Sequence, residues 1–159
     1  MNNDLQIADD FILPLFNEIF VVKERDFSIE YQPLGSGLQK LLLIVDSAQA
    51  DFLPETEMQL LQTIVDKGLR KTMNDAWVVN IQKFPQASLE RIWEYFEPNQ
   101  VIVWGCQAWM KSQQAPIEIH KQVYLNGAEL LQANTLSAYL TDAPSKAKLW
   151  AALQRMFFN

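Results

Sequence analysis

Lys40-Leu41-Leu42-Leu43-Ile44-Val45-Asp46, running into Ser47-Ala48-Gln49-Ala50-Asp51-Phe52, is the stretch whose reading decides the fold class. Its first half is an unbroken apolar run with a β-branched end. A strand reads this way when both of its faces are buried, as in a parallel sheet. The run stops at a small, polar loop. In an open α/β sheet, the loop leaving the carboxyl end of a central strand is where ligands bind. Asp46 and Asp51 therefore come into question first as paired carboxylates that polarise a water or hold a metal. The competing reading is that Asp46 ends a strand and Asp51 sits in an ordinary turn, where Asp is common for local hydrogen-bonding reasons. The loop has no Gly-rich run to bring backbone N–H groups against a phosphate.

Working outward, the same kind of strand recurs. Asp75 to Ile81 and Gln100 to Trp104 read as further buried strands, and Lys121 to Leu125 as a fourth. Helical segments lie between them. Pro54-Glu55-Thr56-Glu57 opens one helix, with Met58, Leu61, Ile64, Val65 and Leu69 on one stripe and Gly68 at its end. Ser88 caps a second helix, Leu89 to Phe96. Cys106 to Lys111 and Pro144 to Phe158 supply the others, Asn126-Gly127 reads as a turn, and Asn134 to Tyr139 as a polar, irregular segment. Strands alternating with helices of this length imply right-handed crossovers. The expected fold is α/β, three-layered α/β/α, with a four-stranded parallel sheet. Pro33-Leu34-Gly35-Ser36-Gly37 is the clearest loop. It divides an N-terminal arm and hinge, residues 1–37, from an α/β body, residues 38–159, in what is read as one domain.

Composition narrows the function classes. The 159 residues suit one domain with a full core. Thirteen basic residues are scattered among 19 acidic ones, for a formal net charge of −6. Nucleic-acid binding draws on clustered Lys and Arg that release counterions, so strong direct DNA binding is not expected. No apolar run approaches the roughly 20 residues that span a bilayer. Met1-Asn2-Asn3-Asp4 lacks the basic start of a signal peptide. One cysteine suits a reducing cytoplasm, and with a single histidine it leaves no Cys/His metal cluster. No cofactor is expected, a metal only at a site built from carboxylates alone, and a protein or a small ligand is the expected partner, a protein first.

Cys106 follows Gly105 at a strand-to-helix turn, where a thiolate nucleophile is favoured. His120, before the fourth strand, is expected at the opposite end of a parallel sheet, which argues against a Cys/His pair and for a small buried thiol. Most of the five Trp residues read as core, and Trp109 as a partly exposed interface residue. Gln154-Arg155-Met156-Phe157-Phe158 is similar to the peptides that dock on sliding clamps, but reads more simply as the amphipathic end of a core helix.

Three stretches together carry a family resemblance. They are Leu42-Leu43-Ile44-Val45-Asp46-Ser47-Ala48, Val101-Ile102-Val103-Trp104-Gly105-Cys106-Gln107-Ala108, and Leu136 to Leu153, which contains Lys146-Ala147-Lys148-Leu149-Trp150-Ala151-Ala152-Leu153. In this order and spacing the chain resembles the uracil-DNA glycosylase superfamily and, more closely, its non-catalytic relatives, the psi subunits of bacterial DNA polymerase III. The resemblance implies a glycosylase-like sheet. It also marks departures: Asn134-Thr135-Leu136-Ser137 stands where the glycosylase loop has its His, and the loop after Asp46 lacks the Gly/Pro-rich motif. A fold without its site gives no activity. The implied function is that of a psi-like protein-interaction subunit of the clamp loader, in the bacterial cytoplasm. The N-terminal arm, through Phe11, Ile12, Leu15, Phe16, Ile19 and Phe20, would serve as an apolar anchor, with Trp109 as a second contact. The alternative is a divergent glycosylase or hydrolase using Asp46 or Asp51 with Ser137; a third reading is a plain interaction domain with an unrelated partner.

Overall fold

A computed structural model describes residues 29–115 and 118–158. Its first strand, β1 (Leu41–Val45), is the opening apolar run, and all five residues are buried. It lies between β2 (Ala76–Asn80) and β3 (Gln100–Trp104), parallel to both, with Leu43 opposite Val78 on one side and Ile102 on the other. β3 pairs in parallel with β5 (Ala128–Ala133). The sheet ends in β4 (Gln122–Leu125), which runs antiparallel to β5. The spatial order is β2-β1-β3-β5-β4.

The sheet is thus five-stranded and mixed, and the expected four-stranded parallel sheet is corrected at one end. The run 121–125 is a strand, but an antiparallel edge strand. The remaining parallel strand is Ala128–Ala133. The cause is the Asn126-Gly127 turn: both residues have positive φ, 51° and 86°. That backbone is the two-residue hairpin turn whose twist matches paired antiparallel strands. The pair folds back at once, and the strand after the turn occupies the place beside β3.

Helices cover both faces. Helix α1 (Glu55–Thr63) begins with Glu55 and Glu57 in its first turn, where the helix dipole favours acids. It runs on through a π-helical turn, Ile64–Gly68. Helix α2 (Leu89–Phe96) is capped by Ser88, whose Oγ accepts from the Arg91 N–H at 3.1 Å. Helix α3 (Gln107–Ser112) follows β3, and α4 (Ala138–Thr141) leads into the terminal helix α5 (Ala143–Phe158). Leu41, Leu43 and Val45 share one core with Leu61, Ile64 and Val65 near α1 and with Leu149, Ala152, Leu153 and Met156 of α5. The alternate residues, Leu42 and Ile44, point to the other face. There Trp77 stacks at a tilt on Phe96 of α2, centroids 4.9 Å apart, and the Trp109 indole N–H of α3 donates to the Ala87 carbonyl at 2.9 Å. Each fully buried Leu, Ile or Val in these layers contributes about 1.5–3 kcal/mol through lost apolar surface.

Residues 31–39 run along the outer edge of β2. Leu34 and Val78 exchange backbone hydrogen bonds of 3.0 and 2.8 Å, and Gly37 N–H donates to Ala76 O. Tyr31 is buried against Phe84, Tyr95 and Phe96. The arm residues Phe11, Ile12, Leu15, Phe16, Ile19 and Phe20 lie outside the described residues.

Candidate functional site

The carboxyl ends of β1, β2, β3 and β5 share one end of the sheet, where a parallel arrangement places its ligand-binding loops. Buried polar side chains tie several of the loops there to one another.

The β1–α1 loop is held from beneath by Asn80, the last residue of β2, which is 1% exposed. Its Oδ1 accepts from Ser47 N–H at 3.0 Å and from Gln82 N–H at 3.1 Å. Its Nδ2 donates to the carbonyls of Ser47, Ala50 and Asp51 at 2.8, 3.2 and 3.1 Å. Both ends of the amide are therefore committed to backbone, and none of its hydrogen-bonding capacity is left for a ligand. Asp46 is exposed and accepts from Gln82 Nε2 at 2.5 Å. The Asp51 side chain is 92% exposed, with Lys83 Nζ 3.7 Å away. The two carboxylates thus have separate partners. Asp51 borders a groove of about 380 Å³ with Tyr31, Phe52, Asn80, Lys83 and Phe84.

At β3, Gly105 and Cys106 both have positive φ, 78° and 57°. The Cys106 thiol is buried and faces the Trp104 carbonyl at 3.6 Å. Burial, and then the nearby Asp46 charge, push its pKa far up. A neutral, enclosed thiol is a poor nucleophile.

At β5, Gln132 is buried, and its Nε2 donates to Gly105 O at 2.6 Å and Ala133 O at 2.9 Å. Its Oε1 has no partner among the described residues. Gly105 N–H donates to Ala133 O at 3.0 Å, and a Cβ on Gly105 would lie 2.7 Å from Thr135 Cγ2. The Gly105-Cys106-Gln107-Ala108 and Asn134-Thr135-Leu136-Ser137 stretches are in direct contact. Ser137 Oγ lies 3.2 Å from Thr135 Oγ1. Asp51 and Asn134 border different grooves, so the structure does not gather Asp46, Asp51, Asn134 and Ser137 around one cavity.

His120 is not at the far end of the sheet. Because β4 is antiparallel, the residues preceding it lie beside the carboxyl end of β5: His120 N–H donates to Gln132 O at 2.8 Å, and Ile119 bridges Gln132. His120 Nε2 is 2.7 Å from the Tyr139 hydroxyl, which also accepts from Asn134 N–H at 2.8 Å. The Tyr139 hydroxyl uses both its acceptor and its donor when its O–H donates to Nε2; in that tautomer the neutral ring carries its proton on Nδ1. Burial, then Lys148 and Arg155, hold the His120 pKa below its usual value. Burial also raises that of Tyr139.

Trp109 is half-buried, with its N–H spent on Ala87 O. At the C-terminus Met156 is buried, while Phe157 and Phe158 lie under Lys71 and Arg70 at 5.8 and 5.9 Å. Among the described residues, no group of three His, Cys, Asp or Glu side chains is placed to hold a metal ion, and no helix is long and apolar enough to cross a membrane.

Sequence reasoning passed over Asn80, Gln132 and the His120–Tyr139–Asn134 chain. Only Asn80 carried a usable signal, a polar residue closing an apolar strand at its carboxyl end. A scan of protein-family models and a search of curated proteins return no match to this chain.

Proposed function

We propose that the chain is a non-catalytic protein-interaction subunit, a psi-like accessory of a bacterial DNA polymerase III clamp loader, whose β2-β1-β3-β5 core is a glycosylase-like sheet without its chemistry. The observation that carries this reading is the commitment of Asn80. The loop after β1, where a glycosylase-type site would stand, is tied from inside by a side chain with no capacity left for a base. Reading an extruded base requires free hydrogen-bonding groups and a surface that grips the backbone. The net charge of −6 works against the second requirement. The contact between the Gly105–Ala108 and Asn134–Ser137 stretches supports the resemblance, since residues far apart in sequence meet at one place.

In this reading the apolar arm residues Phe11, Ile12, Leu15, Phe16, Ile19 and Phe20 anchor the clamp loader, and neither a cofactor nor direct DNA binding is needed. The test combines reconstitution with a base-release assay. The purified chain is expected to bind clamp-loader subunits and to release no uracil from single- or double-stranded DNA. Release that disappears in Asp46→Asn or Asp51→Asn would transfer the assignment to the enzyme alternative.

A further inference from the structure

A second groove lies at the same end of the sheet, between the residues leading into β4 and the outer side of α5. Its volume is about 440 Å³, and it is bordered by Ile119, His120, Asn134, Lys148, Ala151 and Arg155. Lys148, Ala151 and Arg155 stand at i, i+3 and i+7 on α5, so they share one face of the helix. Neither Lys148 nor Arg155 has a carboxylate partner among the described residues. The Arg155 guanidinium donates to the His120 carbonyl at 3.4 Å. Two carboxylates near this face have hydrogen-bond or ion-pair partners of their own: Asp142, within electrostatic reach of Lys148, accepts from Ser145 Oγ at 2.8 Å beside the groove, and Glu118 pairs with Lys121 at 3.5 Å. The Asn134 side-chain amide makes no hydrogen bond to a described residue. His120, with Nε2 taken by Tyr139, has its Nδ1–H left to donate. In a chain of net charge −6, this groove brings together two exposed cations that make no salt bridge to a described residue and two neutral donors, with Ile119 and Ala151 as its apolar lining.

We propose that this groove is a binding site for a short acidic peptide segment, its carboxylates on Lys148 and Arg155 and an apolar side chain against Ile119 and Ala151. Carboxylates suit these donors because charge-assisted hydrogen bonds are the strong ones. The apolar floor favours a peptide over a free oxyanion, which would leave it uncovered. A nucleic-acid backbone draws its affinity from many phosphate contacts, and a chain with 13 basic residues against 19 acidic ones is poorly suited to supply them. Ile119 and His120 also lead straight into β4, the outer strand of the sheet, which gives an extended peptide backbone groups to pair with. The site stands whether or not the chain joins a clamp loader.

The test uses the full chain at low salt and a fluorescent twelve-residue peptide of alternating Asp and Leu. Its controls are the Asn-for-Asp version, oligo-dT and inorganic phosphate. The peptide is expected to bind saturably, to shift the backbone amide resonances of Ile119, Asn134 and Ala151, and to weaken steeply with added salt. The double variant Lys148→Glu, Arg155→Glu, on an exposed face, is expected to melt like the parent and to lose about tenfold or more in affinity. Equal binding of the Asn-for-Asp peptide, unchanged affinity in the variant, or tighter binding of phosphate or oligo-dT at the same resonances would each overturn the assignment. If the double variant melts early, Lys148→Gln alone provides the same comparison.

Discussion

With both ends of the Asn80 amide committed to the backbone of the β1–α1 loop, replacing it by alanine strands buried N–H and C=O groups. Unsatisfied buried groups of this kind cost about 1–3 kcal/mol each. Asn80→Ala is expected to lose about 2–4 kcal/mol in urea unfolding. Asn80→Asp should lose a comparable amount, because it keeps the acceptor for Ser47 N–H and removes the donor to the carbonyls. If Asn80→Ala unfolds like the parent, the residue does not hold the loop. His120 makes a second prediction at this scale. Its folded-state pKa lies below the ordinary value of 6.5. As the pH falls through about 6.5, the unfolded chain takes up the proton and the folded chain does not. The unfolded state then binds more protons, so stability declines until the lower folded pKa is reached. His120 has φ of 66°, which asparagine tolerates. His120→Asn should therefore fold and show a shallower loss of stability between pH 7 and 5; an unchanged slope would show that the loss comes from other groups.

The β4–β5 hairpin is the element on which the sheet departs from simple alternation. The two-residue Asn126-Gly127 turn needs φ above zero at both positions. A Cβ on Gly127 would meet nothing within 4 Å, so a substitution there reports backbone conformation without steric overlap. Gly127→Asn is expected to be nearly neutral, Gly127→Ala to cost about 1 kcal/mol, and Gly127→Val more. Urea midpoints read the order, and three equal values would contradict this turn. The hairpin also moves His120. A parallel strand would carry it to the opposite end of the sheet, whereas the antiparallel one brings it beside Gln132 and Tyr139. One turn dipeptide therefore decides what a groove contains.

At the scale of the whole molecule, the legible parts are those where burial dominates. β1, β3 and α2 match the expected segments closely because continuous apolar runs and a Ser cap leave little choice. β5 was not legible. Ala128-Glu129-Leu130-Leu131-Gln132-Ala133 combines residues of poor strand propensity, and only pairing with β3 and β4 makes it a strand. The polar ties at the carboxyl end of the sheet were illegible for a related reason. The partners of Asn80 in the β1–α1 loop lie about thirty residues away, and no short spacing announces them. The opening stretch stands as the buried centre of the sheet, with its loop serving as structure. The proposal that it is the core of a clamp-loader accessory is tested most directly by co-purification of the tagged chain from its native cell, followed by identification of what it carries. The account predicts stoichiometric recovery of clamp-loader subunits; recovery of the chain with none of them would contradict it.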